Sequence, residues 1–173
     1  MLNYKLISKI IGSLLLLEAM LMCIALATSL LHLDSVNDQD DVFSFIITIC
    51  FTAMMGFWAR YYGQPDNEVM NRHEAYLLVT ITWIVFSFFG SLPFIISGLI
   101  PSFTDAFFET MSGFTTTGSS VVENIDEFPS GLKLWRSMTQ WIGGLGIAFF
   151  TIAILPGLVS GGVRVFSAEA TGP

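Results

Sequence analysis

An all-α integral membrane protein is predicted by three properties of this sequence. They are its apolar composition, four long apolar blocks, and a short apolar segment that runs into an out-of-place polar stretch. Of 173 residues, 53% are hydrophobic and only 12% charged, with a mean hydropathy of +0.69. A soluble chain of this size carries about 25% charged residues, and here the deficit is concentrated in the apolar blocks.

The first block runs from Leu6 to Leu31 and is interrupted by Glu18. Lys5, Lys9 and the Ala25-Leu26-Ala27 run give it some look of a secretory signal. Its apolar stretch exceeds the roughly 7–15 residues of such a signal, so a retained helix is expected. The second block spans Val42–Tyr62, where Trp58, Tyr61 and Tyr62 suit an interfacial aromatic belt. The third spans Ala75–Ile100 and the fourth Leu134–Leu158. Each reaches the ~20 residues needed to cross a hydrocarbon core ~30 Å thick.

Between the third and fourth blocks lies Ser102–Phe114, too short to cross and too apolar for an ordinary loop. It reads as a re-entrant helix that follows Pro101, starts at a Ser102 cap with Asp105 in its first turn, and stops at Gly113. Its C-terminal dipole end favours a nearby cation. Then comes Thr115-Thr116-Thr117-Gly118-Ser119-Ser120. Irregular backbone at membrane depth is tolerated only where protein buries it or a wet cavity meets it. Successive carbonyl and hydroxyl oxygens can replace the water around an alkali cation. Extended backbone from Thr115 to Gly118 spans ~13 Å, and Gly118 gives freedom to turn a carbonyl inward. One loop supplies one side of an oxygen ring, so this chain does not build such a site alone.

Net charge is −7, with basic residues at Lys5, Lys9, Arg60, Arg72, Lys133, Arg136 and Arg164. A cytoplasmic N-terminus puts all of these inside except Lys133 and Arg136, which sets the expected orientation. Two acidic connections, Asp34-Asp38-Asp40-Asp41 and Glu123-Asp126-Glu127, then face outward. They either hydrate that face or raise the local cation concentration. No basic nucleic-acid surface is present. Cys23 and Cys50 fall inside apolar blocks with no metal-ligand spacing and read as free buried thiols. His32 and His73 sit on other connections, so the threonines lack a base and no enzyme is expected. No phosphate-binding GxxxxGK[ST] occurs.

The stretch Phe103–Gly118, reading FTDAFFETMSGFTTTG, resembles the first pore loop of the Trk/Ktr family of bacterial potassium transporters, of the TrkH type. Trp135-Arg136 and the Gln140–Ile147 run QWIGGLGI resemble the start of the helix after that loop, and residues 153–156 and 166–173 fit the same family. The resemblance implies two leading transmembrane helices (residues 1–72), then the first of four helix–pore loop–helix repeats (residues 73–173) of a potassium-channel-like fold. The pore helix is expected at 102–114 and the filter at 115–119. By the same resemblance Thr115, Thr116, Thr117 and Gly118 are potassium ligands, with Thr116 and Thr117 the nearest. Potassium is cargo, and no cofactor is implied. The implied setting is the bacterial inner membrane, and the implied partners are lipid, the remaining repeats, a second copy and a cytosolic nucleotide-binding regulatory subunit. The match stops at Pro173, about a third of the way along such a transporter. A truncated gene and a split subunit are possible, but a partial sequence is the expected reason. The rival readings are a non-transporting assembly or regulatory membrane protein and a membrane-embedded enzyme.

Single residues carry further expectations. Glu18 lies at membrane depth, where a hydrogen bond to a neighbouring helix is expected ahead of an ion-path role. Glu109 is expected to brace the filter from behind, and Arg136, on the outer side, to anchor a loop ahead of repelling cations. Gly143, Gly144, Gly146, Gly157, Gly161 and Gly162 are expected to allow close helix approach.

Overall fold

The computed structural model describes residues 3–32, 37–64, 71–125 and 128–148, with the backbone alone at 37–40 and 72. Expectations for Asp34, Asp126, Glu127, residues 153–156, Gly157, Gly161, Gly162, Arg164 and residues 166–173 fall outside the described residues, and those for the side chains of Asp38, Asp40 and Arg72 do too. The chain is an all-α membrane protein among these residues. Four helices, α1 (Tyr4–Leu31), α2 (Asn37–Tyr62), α3 (Arg72–Ile96) and α4 (Phe103–Phe114), precede a helical stretch, α5, at residues 130–148. Three helices, α1, α2 and α3, are long and apolar enough to cross a membrane.

α1 and α2 form a tight antiparallel hairpin because glycines let their backbones meet. A Cβ on Gly12 would strike the Gly56 carbonyl oxygen and the Arg60 amide nitrogen at 2.6 Å. Small residues at such crossings are what lipid-embedded helices use to gain packing. Polar bonds finish the seam: Ser8 Oγ donates to the Ala59 carbonyl at 2.8 Å and Ser29 Oγ to Asp41 Oδ2 at 2.6 Å. Asp41 therefore lies buried inside the hairpin, not with the acidic outer connection to which its sequence position assigned it. Buried Ser44 and Thr48 bond backbone carbonyls within their own helix, so they sit in the interior without orphaned hydroxyls.

The outward faces of both helices are apolar. Met20, Ile24, Phe43, Met54 and Phe57 are all more than half exposed, as lipid-facing residues are. Trp58, Tyr61 and Tyr62 are exposed at one end of α2, the place expected of a belt. Cys23 and Cys50 are free but exposed on the apolar surface, which corrects their expected burial. α1 and α3 start at the same end, since the Asn3 amide donates to Glu74 Oε1 at 2.7 Å while the Asn71 amide donates to Oε2. His73 and His32 thus lie at opposite ends of these parallel helices.

The core takes Met22 and Ala25 from α1 and Phe45 from α2 and joins them to α3, α4 and α5. Trp135 is fully buried, donates its indole N–H to the Gly90 carbonyl at 2.9 Å, and sets its ring edge-on to Phe114. A buried indole with its donor satisfied carries no desolvation penalty. Phe86 closes the other side of Phe114, with ring centroids 5.5 Å apart. These contacts fix how deep α4 ends. It doubles back along α3, and its last residue meets Phe86, ten residues before the end of α3 at Ile96 and so about 15 Å along that helix.

Candidate functional site: a threonine–glycine loop on a half-length helix

Ser102 caps α4 by accepting from the Asp105 amide, and Asp105 occupies the first turn, as its sequence predicts. The other end departs from expectation. The helix runs past Gly113 to Phe114, and the left-handed residue that closes it is Thr116, with φ +57°. The Thr116 amide donates to the Gly113 carbonyl at 2.8 Å and the Thr117 amide to the Ser112 carbonyl at 2.9 Å, the paired bonds of a Schellman cap. Glycine usually fills that position, and a β-branched residue there costs about 1–2 kcal/mol. Strain of this kind gathers where geometry serves function. Thr116→Gly is accordingly expected to stabilise the detergent-solubilised full-length protein by about 1 kcal/mol, read as a higher unfolding midpoint.

The predicted extended run from Thr115 to Gly118 is not observed. Helix-end carbonyls need donors, and all four amides fold back to supply them, Thr115 to Met111 and Gly118 to Ser112 included. Because a trans peptide points its N–H and C=O in opposite directions, the carbonyls of Thr115, Thr116 and Thr117 are turned away from the helix end. None of the three accepts a hydrogen bond among the described residues, and Thr116, Thr117 and Gly118 are exposed. Gly118 has φ +75°, the conformation that glycine tolerates. The Thr115 hydroxyl is occupied: it donates to the Met111 carbonyl at 2.7 Å and lies 2.9 Å from the Thr117 hydroxyl. What the loop presents is therefore chiefly backbone oxygen.

Behind the loop, α4 holds the departing chain. Ser112 Oγ donates to the Ser119 carbonyl at 2.6 Å. Glu109, 2% exposed, accepts from Ser120 Oγ, the Val121 amide and Arg136 Nε. A polar cavity of about 10 Å³ lies between Glu109, Ser112, Gly118, Arg136 and Gln140, room for one water at most. α5 is seated on the loop's root by small residues, since a Cβ on Gly143 would run into the Phe114 backbone and one on Gly113 into Thr139.

Sequence reasoning set Glu109 behind the threonine loop and gave Arg136 no partner; the structure bonds Arg136 and the chain leaving the loop to the same carboxylate. It missed Ser112, whose carbonyl receives two amides. That role depends on a helix end at Thr116, which the absence of glycine there conceals. Glu18 is corrected as well: it is fully buried, yet neither carboxyl oxygen has a partner among the described residues. A larger cavity of about 410 Å³ between α1, α3 and α5 is lined by Leu14, Trp83, Phe86, Trp141 and other apolar groups, and offers an ion nothing.

The chain resembles known proteins in sequence and in fold. The family model described as "Cation transport protein", TrkH, matches residues 38–173. The chain belongs to the TrkH cation transport family. It is 36% identical over 172 residues to the Trk system potassium uptake protein TrkH of Vibrio parahaemolyticus, covering 99% of this chain and 34% of that one. It is also 36% identical over 153 residues to the Trk system potassium uptake protein TrkI of Halomonas elongata, covering 88% and 31% respectively. The crystal structure of the potassium transporter TrkH from Vibrio parahaemolyticus superposes with a TM-score of 0.80 at 34% identity, over 88% of this chain and 32% of that one. The chain thus spans about a third of the length of the curated relatives it matches.

Proposed function

We propose that this chain supplies the first filter-bearing segment of a potassium-uptake pore in the bacterial inner membrane. One observation carries the reading: three successive carbonyls, of Thr115, Thr116 and Thr117, face away from the end of a half-length helix with no donor on them among the described residues. A dehydrating monovalent cation needs such oxygens. On this reading residues 1–72 form the leading helix pair and 73–173 the first helix–pore loop–helix repeat, with the pore helix at 102–114 and the filter at 115–119. Thr115, Thr116, Thr117 and Gly118 contribute one side of the potassium site, and further repeats of the same transporter contribute the others.

The N-terminus is cytoplasmic by the distribution of basic residues. Potassium enters down its electrochemical gradient, helped by about 2.3 kcal/mol per charge per 100 mV. A second copy and a cytosolic nucleotide-binding subunit complete the assembly, with lipid around it. The test is growth of an uptake-deficient strain on limiting potassium, rescued by the complete transporter. Gly118→Val forces a β-branched residue to positive φ and is expected to cut rescue about tenfold or more. Thr117→Val, which keeps the carbonyl, is expected to cut it less. Wild-type rescue by both variants would remove the loop from the ion path.

A further inference from the structure

We propose that Glu109 and Arg136 are positioning residues that set ion preference by holding the chain as it leaves the threonine loop, a role that rests on the potassium-pore reading. Three elements meet at one carboxylate. Glu109 Oε1 accepts from Arg136 Nε on α5 at 2.5 Å, Oε2 accepts from the Val121 amide at 3.0 Å, and Ser120 Oγ reaches both oxygens at 3.0 and 3.1 Å. Those partners lie 27, 12 and 11 residues away in sequence, so the carboxylate fixes segments that local structure does not.

Ser112 adds the bond to the Ser119 carbonyl, so residues 119, 120 and 121 are each held from α4. The back of the loop is thus bonded at residues 119 to 121, while the carbonyls on its front accept no hydrogen bond among the described residues. Gln140, one helical turn beyond Arg136, brings Nε2 to 3.7 Å from where a Gly118 Cβ would stand. Rigidity is built into one side and oxygen is offered on the other.

The charges explain why position, and not attraction, is the effect. Arg136 beside a cation path would repel the ion if it stood alone. Paired with Glu109, whose side chain is 1% exposed, it leaves a neutral couple that neither concentrates nor repels cations at long range. A nearly dry carboxylate with four polar contacts is also unforgiving: removing either partner strands a buried charge. The loop would then settle where its own strain prefers, and its oxygens would fit a different ion radius.

The experiment uses the complete transporter in an uptake-deficient strain, with potassium and sodium uptake measured in competition at matched membrane abundance. Glu109→Gln and Arg136→Gln are expected to reduce the preference for potassium about tenfold. Arg136→Lys, which keeps the charge but loses the planar donor, is expected to fall between these and wild type. Ser120→Ala removes one exposed hydroxyl and leaves insertion unaffected, with a loss of about threefold expected in the same direction. Unchanged preference in Glu109→Gln and Arg136→Gln would overturn the proposal. If those variants do not reach the membrane, wild-type preference in Ser120→Ala would overturn it instead. Failure of the unmodified transporter to take up potassium would strike the pore reading itself, before any variant is compared.

Discussion

Alanine at Gly143 is expected to lower potassium uptake by the complete transporter about tenfold or more, while alanine at Gly144 leaves uptake near wild type. The two positions are neighbours on α5 and differ in what they face. A Cβ on Gly143 would collide with the carbonyl oxygen, carbonyl carbon and Cα of Phe114. Among the described residues a Cβ on Gly144 would meet only Thr116 Cγ2, at 3.9 Å, an ordinary contact. Phe114 cannot yield, because its ring is buried between Phe86 and Trp135 and Trp135 is bonded to Gly90. α5 must therefore tilt away, at the usual cost of overpacking, about 1–3 kcal/mol. Phe114 is the residue before Thr115, so the tilt reaches the loop directly. Sites displaced by about 1 Å are present but no longer competent. Uptake in a deficient strain, normalised to protein in the membrane fraction, reads the difference. Equal uptake by the two variants would mean that α5 does not position the loop.

The sequence made the long helices legible for a physical reason: a bilayer demands about 20 apolar residues per crossing, and α1, α2 and α3 each show them. The half-length helix was legible from its cap, since Ser102 and Asp105 sit where N-terminal amides need acceptors. Its far end was not. A helix closed by glycine announces itself, whereas Thr116 adopts the same left-handed conformation without the residue that normally reveals it. The expected extended ribbon failed for the same reason, because the loop's amides are drawn back to the carbonyls of Met111, Ser112 and Gly113. The Glu109–Arg136 contact spans 27 residues and two helices, a pairing that periodicity cannot encode. Each residue stood out on its own, and only the fold shows that the two are bonded to one another. Asp41 was misplaced because four acidic residues in a row of eight look like a solvated loop. A buried partner, Ser29, takes one of them into the hairpin.

Glu18→Met is expected to raise the stability of the solubilised full-length protein by about 1–3 kcal/mol, the cost of a buried polar group left without partners. Glu18 is fully buried in the middle of α1, and both of its oxygens lack a hydrogen bond among the described residues. Thr52 of α2, also fully buried, has an unpartnered hydroxyl. Methionine keeps the length of the side chain and removes the orphaned oxygens, so packing is preserved. A carboxyl at membrane depth is expensive to keep, and this one stands in a consequential place. Its Oε1 lies 3.2 Å from where a Gly90 Cβ would be, and Thr110 Cγ2 and Phe114 Cε2 of α4 lie 2.8 and 3.0 Å from the same point. Glu18 thus converges with residues of the helix that carries the threonine loop on the space left beside Gly90. Stability is often given up where activity needs it, so on the potassium-pore reading the stabilised variant is expected to transport potassium more slowly. Thermal unfolding and uptake measured on the same preparation decide the matter: a variant that is more stable and equally active would make Glu18 a packing defect, whereas a loss of stability would mean that its oxygens are bonded after all.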